Sequence, residues 1–366
     1  MMLAADTFPQ QENGLRLPAP AQLRAQLPLT AAQARKIASQ RQTVRRIVHG
    51  ADHRLLVVTG PCSLHDGAAA QEYARRLLRL QAEVADQLYL VMRAYCEKPR
   101  SCLGWKGLLH QDLQAAPASL QEQACAGLHA SRQLLLQLSS IGLPLAVECL
   151  DPVAAHYFTD LPAWGAIGAR TTESQTHREL ASALPYAIGF KNASNGAFDS
   201  AVAGIAAAAA AHSRFGLDEQ GHAAVLSTPG NPDGHLILRG GALGPNYDAQ
   251  NVRAACRAQE AARLYGRRLI VDCSHGNCNK QHQQQITVAL ELGRRIAAGE
   301  EGIGGLMLES FLEGGRCDWQ GGAAQPFGCS ITDPCLSWDD TRALLLMLAA
   351  ELRAAGWRGA APEQEP

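Results

Sequence analysis

Eight short apolar runs recur along the chain, each followed by a residue that can carry charge or bind a ligand. They are 55–59 before Cys62, 88–92 before Arg93, 143–147 before Glu148, 166–169 before Arg170, 187–190 before Lys191, 236–238 before Arg239, 269–271 before His275 and 304–308 before Glu309. Apolar positions at helical spacing fill segments 68–84, 120–140, 198–212, 249–265, 281–298 and 341–355. Single strands alternating with helices predict a parallel sheet. Eight repeats of that unit predict an α/β fold of the (β/α)8 barrel type, in which the C-terminal strand ends converge on one mouth.

Two segments exceed what a bare barrel needs. Ahead of the first strand, Thr30 caps a helix over 29–49 that buries Ile37, Val44 and Ile47 and stops at Gly50. Residues 212–235 read as two short strands about a tip at 217–221, an inserted hairpin. The expected organisation is an N-terminal regulatory or oligomerisation extension over 1–54, a catalytic barrel over 55–356 and a disordered tail over 357–366.

Composition narrows the function. The formal net charge of −1 gives no case for nucleic-acid or anionic-membrane binding. The start of the chain lacks the apolar core of a signal peptide, and no apolar stretch is long enough to span a bilayer, so a cytoplasmic protein is expected. Eleven scattered cysteines suit reduced thiols. Lysine is scarce, at five positions: Lys36, Lys98, Lys106, Lys191 and Lys280. Three of the five stand at or just after strand ends, where an ammonium has a use that a guanidinium does not share.

Two constellations carry the chemistry. One thiolate, one imidazole and two carboxylates, from Cys62, His275, Glu309 and Asp333, suit a divalent first-row ion such as manganese, iron, cobalt or zinc. Their spacing alone identifies nothing; barrel placement unites the first three. Around them Arg93, Lys98, Arg100, Lys106, Arg170, Lys191 and Arg239 would crowd positive charge into one pocket. Such a cluster calls for a strongly anionic, phosphorylated substrate. A GxGxxG frame is absent, so phosphate must be held by side chains and strand-end amides.

The segments GPCSLHD (60–66), EKPRS (97–101), GWKG (104–107), WGAIGARTTESQTHREL (164–180), GFKN (189–192), LRGG (238–241), PNY (245–247), DCSHGN (272–277) and SITDPC (330–335) resemble type I 3-deoxy-D-arabino-heptulosonate 7-phosphate (DAHP) synthase over roughly 29–350. The resemblance implies condensation of phosphoenolpyruvate with erythrose 4-phosphate, releasing phosphate, the first step of the shikimate pathway. It implies the same four metal ligands. Arg170 and Arg239 match residues that hold the phosphate of phosphoenolpyruvate, Arg93, Lys98 and Lys191 match those near its carboxylate and reacting carbon, and Glu148 falls in the same pocket. Arg100 and Ser101 match the anchor for the phosphate of erythrose 4-phosphate, and Lys106 joins the substrate-binding set. Lys98, Lys191 and His275 form the expected catalytic set, with Lys98 placed to give or take a proton.

The sequence departs from the family pattern at Cys96, Cys273, Ser101, 192–196 and the 109–123 loop. A 3-deoxy-D-manno-octulosonate 8-phosphate synthase is the nearest rival, but it would carry a different sequence where this chain has KPRS. Another metal-dependent aldolase on the same barrel would release no phosphate. An aromatic amino acid is the expected feedback inhibitor, at a site built from the extension and the hairpin. Gly216, where phenylalanine-sensitive relatives often carry serine, leaves room for an indole or a phenol. Segments 275–278, 309–312 and 333–336 look most like the tryptophan-sensitive group. A homodimer or homotetramer is expected.

Overall fold

The computed structural model describes residues 14–100, 103–113, 119–318 and 326–357. Ten strands are present among them: β1 (Leu55–Gly60), β2 (Leu88–Arg93), β3 (Leu145–Glu148), β4 (Trp164–Ile167), β5 (Ala187–Lys191), β6 (His212–Leu217), β7 (Ala223–Thr228), β8 (Gly234–Leu238), β9 (Leu269–Asp272) and β10 (Ile303–Glu309). Eight of them close a parallel barrel in the order β1-β10-β9-β8-β5-β4-β3-β2, while β6 and β7 pair antiparallel outside it. All eight expected barrel strands are there, β4 two residues early. Correspondingly, the hairpin ends at Thr228 and His235 belongs to a barrel strand, not to the insertion.

Strand periodicity explains how the site is aimed. Leu56 and Val58 of β1, Val91 of β2, Ala146 of β3, Trp164 and Ala166 of β4, Ala187 of β5, Ile237 of β8, Ile270 of β9 and Met307 of β10 pack in one buried cluster inside the barrel. Their neighbours Leu55, Val57, Leu90, Leu145, Ile188, Leu236, Val271 and Leu306 join the outer core beneath the helices. Since side chains alternate faces along a strand, two residues beyond each inward position lies another inward position. Arg93, Glu148, Arg239, Asp272 and Glu309 occupy those next inward positions, and Lys191 lies one step further, beyond inward Gly189.

The opposite end is plugged. Helix α2 (Ala31–Val48), after the shorter α1 (Pro20–Gln26), starts with Thr30 and Gln33 in a capping box, as expected at its N-terminus. Its Val44, Ile47 and Val48 pack into the interior cluster, so the extension supplies the barrel floor. The outer helices are α3 (Gly67–Val84), α4 (Leu120–Ile141), α5 (Gln175–Ala181), α6 (Asp199–Ala208), α7 (Ala249–Ala261), α8 (Gln284–Ala297) and α9 (Trp338–Ala354). Helices α1 and α5 were not anticipated, because seven-residue helices give too short a window for apolar periodicity. Trp357 donates to the His53 carbonyl at 2.7 Å, and the rest of the expected tail lies outside the described residues.

Candidate active site

At the C-terminal mouth a cavity of about 320 Å³ is lined by Arg93, Lys98, Arg100, Glu148, Arg170, Lys191, Arg239, His275 and Asp333, among others. Of the anticipated substrate contacts, Lys106 does not line it: its side chain is exposed, and its carbonyl accepts from the Lys98 N–H at 2.9 Å. Ser101 lies outside the described residues.

Cys62, Glu309 and Asp333 present ligand atoms that all lie within 4.8 Å of one another. The Cys62 thiol is 3.3 Å from Asp333 Oδ2, and the Lys98 ammonium donates to its sulfur at 2.9 Å and to its carbonyl at 3.2 Å. His275 stands beside this trio, its Nε2 3.9 Å from Glu309 Oε1. Its Nδ1 is 2.9 Å from Asp272 Oδ2 and 2.7 Å from the Ser274 hydroxyl, which leaves Nε2 as the free ring nitrogen facing the trio. A soft sulfur, two carboxylates and an oriented imidazole fit a divalent first-row ion. His275 holds a left-handed backbone, φ 55°, which is costly for a residue with a side chain and sets the direction in which the ring leaves the chain.

Buried charge is compensated pair by pair. Arg93 donates to Glu309 Oε1 at 3.1 Å and lies 4.1 Å from the centre of the Tyr95 ring; the Tyr95 hydroxyl is buried without a partner among the described residues. Lys191 donates to Asp272 Oδ2 at 2.8 Å. Burial pushes the Asp272 carboxyl up, but Lys191 and His275 outweigh it and hold it well below the usual range. For Lys98, burial lowers the ammonium while Cys62, Glu309 and Asp333 raise it further, so it stays protonated. Burial, then Glu309, pushes the Cys62 thiol up to about 12 against the opposing pull of Lys98.

Asp272 is the residue that reading the chain passed over. It ends β9 inside the DCSHGN segment and at an inward position, and both signals were available. Lys280 also lines the cavity, in a left-handed conformation of φ 61°. Gln285 clamps Glu309 through both backbone groups, at 2.8 and 3.2 Å; buried on a helix, it gave no sign in the sequence.

The profile of the DAHP synthetase I family matches residues 28–346. The chain belongs to the DAHP synthetase I family. It is 47% identical over 334 residues to the Tyr-sensitive phospho-2-dehydro-3-deoxyheptonate aldolase of Escherichia coli K12, covering 91% of this chain and 92% of that protein. Identity is also 47% over 331 residues to the Trp-sensitive enzyme of Enterobacter agglomerans, covering 90% and 93%. A solved structure of the phospho-2-dehydro-3-deoxyheptonate aldolase of Francisella tularensis superposes with a TM-score of 0.89 at 39% identity, covering 94% of this chain and 99% of that one. As a DAHP synthase the chain condenses phosphoenolpyruvate with erythrose 4-phosphate at the first step of the shikimate pathway. DAHP synthases of this type are generally metal-dependent. Among the described residues no helix is long and apolar enough to cross a membrane.

Proposed function

We propose that phosphoenolpyruvate lies in the cavity with its phosphate on Arg170 and Arg239 and its carboxylate and enol carbon against Arg93, Lys98 and Lys191. Glu148 borders the same subsite. Erythrose 4-phosphate then enters with its phosphate on Arg100 and Ser101 and its aldehyde toward Cys62. Lys106, exposed as it is, guides anions from the rim. The observation that carries this reading is that inward Arg93, Lys191 and Arg239 line one cavity together with Asp333, whose carboxylate also belongs to the Cys62, Glu309 and Asp333 donor set.

The cations offset the mutual repulsion of two phosphorylated substrates, and holding both makes carbon–carbon bond formation effectively unimolecular. A manganese, iron, cobalt or zinc ion held by Cys62, His275, Glu309 and Asp333 would supply Lewis-acid polarisation of the aldehyde. Lys98, protonated and 2.9 Å from the Cys62 sulfur, is the proton donor for the oxygen that gains charge on attack. Lys191 and His275 are held by Asp272, and the arginines keep the departing phosphate in place. The test is phosphate release from phosphoenolpyruvate with erythrose 4-phosphate or arabinose 5-phosphate as acceptor. Arg239→Gln should raise the KM for phosphoenolpyruvate alone; comparable release with the five-carbon aldose would defeat the acceptor assignment.

Control is proposed to lie at a second cavity of about 520 Å³, lined by His156, Arg214, Leu217, Glu219 and Leu226 among others. Helix α1 is tied to two of its lining residues: Ala21 N–H donates to the Glu219 carbonyl at 3.0 Å, Arg24 pairs with Glu219, and Arg24 donates to the His156 carbonyl at 2.8 Å. Extension and hairpin thus act together as the regulatory unit in this reading. Tryptophan is the effector proposed, ahead of tyrosine, supported by the likeness of 275–278, 309–312 and 333–336 to the tryptophan-sensitive group; the room expected at Gly216 is not there, because Leu226 and Arg214 pack against it. Inhibition by tyrosine at concentrations where tryptophan does nothing would reverse the order. A homodimer or homotetramer in the cytoplasm completes the proposal. Phe215 and Val225, paired across the hairpin and 86% and 65% exposed, support a self-association face, which light scattering tests.

A further inference from the structure

Away from both cavities, two thiols converge on one backbone carbonyl. Cys317 and Cys329 lie on the chain between β10 and α9, and their sulfurs stand 3.5 and 3.8 Å from the Ser330 oxygen. The two side chains are also in hydrogen-bonding contact with each other. That carbonyl already accepts the Cys317 N–H at 2.8 Å, so two further weak S–H donors add little, and packing alone does not require both.

The backbone around the pair is pinned. Arg316 and Ser330 form a bridge, Gly315 and Cys335 exchange N–H···O bonds of 2.8 and 2.9 Å, and His65 Nε2 lies 3.0 Å from the Cys329 carbonyl. Cys329 is buried and Cys317 is partly exposed, which divides the roles of a redox pair into a thiol that meets the oxidant and one that resolves it.

We propose that Cys317 and Cys329 are a reversible thiol-disulfide site that reacts with low-molecular-weight disulfides such as glutathione disulfide. The Cys317 thiolate attacks one sulfur of the oxidant, forming a mixed disulfide as the first glutathione thiolate leaves. Cys329 then attacks the Cys317 sulfur; the second glutathione leaves as a thiolate and takes up the Cys329 proton. Two cysteine thiols are oxidised, one glutathione disulfide is reduced to two thiols, and no other reactant is consumed. Burial pushes the Cys329 thiol up to about 12, which suits a resolving group that reacts only when a partner sulfur is held against it. Closing the ring fixes the turn that leads through Ser330 to Asp333, whose carbonyl accepts from the Ser330 hydroxyl at 2.7 Å.

The experiment uses metal-loaded, full-length enzyme equilibrated in buffers of graded reduced to oxidised glutathione, then alkylated and digested with chymotrypsin. Trypsin would leave both cysteines in one peptide, because no Lys or Arg lies between Arg316 and Arg342, whereas chymotrypsin cuts after Trp319 and Phe327. The expected product is a cross-linked pair joined through Cys317 and Cys329, lighter by two hydrogen atoms than the free peptides and lost on reduction. Cys317→Ser should remove the cross-link while keeping wild-type activity in reductant. Separate alkylation of both cysteines at every ratio would overturn the proposal. So would a mixed disulfide that stays on Cys317, or a bond from Cys329 to Cys335 in its place.

Discussion

Asp272 Oδ2 lies 2.8 Å from the Lys191 ammonium, and the same oxygen is 2.9 Å from Nδ1 of His275. One buried carboxylate therefore positions a cavity cation and an imidazole of the donor set at once. Asp272→Asn keeps the shape and removes the charge. Metal affinity should fall about 10- to 100-fold, in line with losses of such outer partners, and the KM for phosphoenolpyruvate should rise with it. Isothermal titration with manganese and steady-state kinetics read the two effects separately; a change in neither would leave Asp272 a purely structural residue.

Chelator should abolish activity, and manganese, iron, cobalt or zinc should restore it, because a mixed sulfur, nitrogen and oxygen shell accepts several first-row ions. Cys62→Ala should not recover under any of them. Full turnover by metal-stripped enzyme in excess chelator is the outcome that sinks the ligand set.

Arg100 is exposed at the cavity edge, where it donates to the Trp105 carbonyl at 2.7 Å. Losing charge-assisted bonds to phosphate costs roughly 1.5–3 kcal/mol. Arg100→Ala should therefore raise the KM for erythrose 4-phosphate by about 10- to 100-fold with little change in that for phosphoenolpyruvate. The reverse pattern would mean that the two phosphate subsites are exchanged.

A Cβ on Gly216 would sit 2.9 Å from Leu226 Cδ1, inside contact distance, and Leu226 lines the proposed effector cavity. Gly216→Ser should push Leu226 toward that cavity and weaken tryptophan inhibition several-fold while leaving uninhibited turnover intact. Inhibition curves on both proteins decide it.

His235 fixes an acid limit to stability. Fully buried on β8, it accepts from Trp164 Nε1 at 3.0 Å through Nε2, and its Nδ1 faces the Asp233 carbonyl at 3.1 Å, so the neutral ring is the one accommodated. Burial pulls its pKa down to about 4. Between about 6.5, where the unfolded imidazole titrates, and about 4, the unfolded chain takes up a proton that the native chain refuses. The contribution of His235 to stability should be flat above that window and fall by about 3 kcal/mol across it as the pH drops. Urea melts at a series of pH values check the slope, which His235→Gln should flatten.

Most of the barrel was legible because eight strand ends carry their chemistry on the residue after the apolar run or, at Cys62 and His275, within four residues of it. The β4 boundary slipped because Gly168 and Ala169 look like more of the same run. A Cβ at Gly168 would collide with Glu148 Oε1, and the chain leaves the ladder there. The candidate donor set came from barrel placement and the family resemblance, neither of which carried the distances. That Lys98 would sit on the Cys62 sulfur depends on how residues 94–98 fold back over β1, which no local pattern encodes. Asp272 was obscured for another reason: the histidine three residues on is the ligand-type residue of that segment, and only the inward parity of β9 marks the aspartate.

Strands β1 and β10 are neighbours in the closed barrel, with Gly60 beside Glu309, and Cys62 meets Asp333 across 271 residues of chain. Of the proposed donors Cys62 is thus made first, long before Glu309 and Asp333. A ribosome-bound chain carries its thiol through the synthesis of most of the barrel with neither of these carboxylates to share an ion with. Metal capture by the full proposed set therefore waits until Asp333 has been made, and a fragment that stops short of Glu309 has only the thiol and the imidazole to offer.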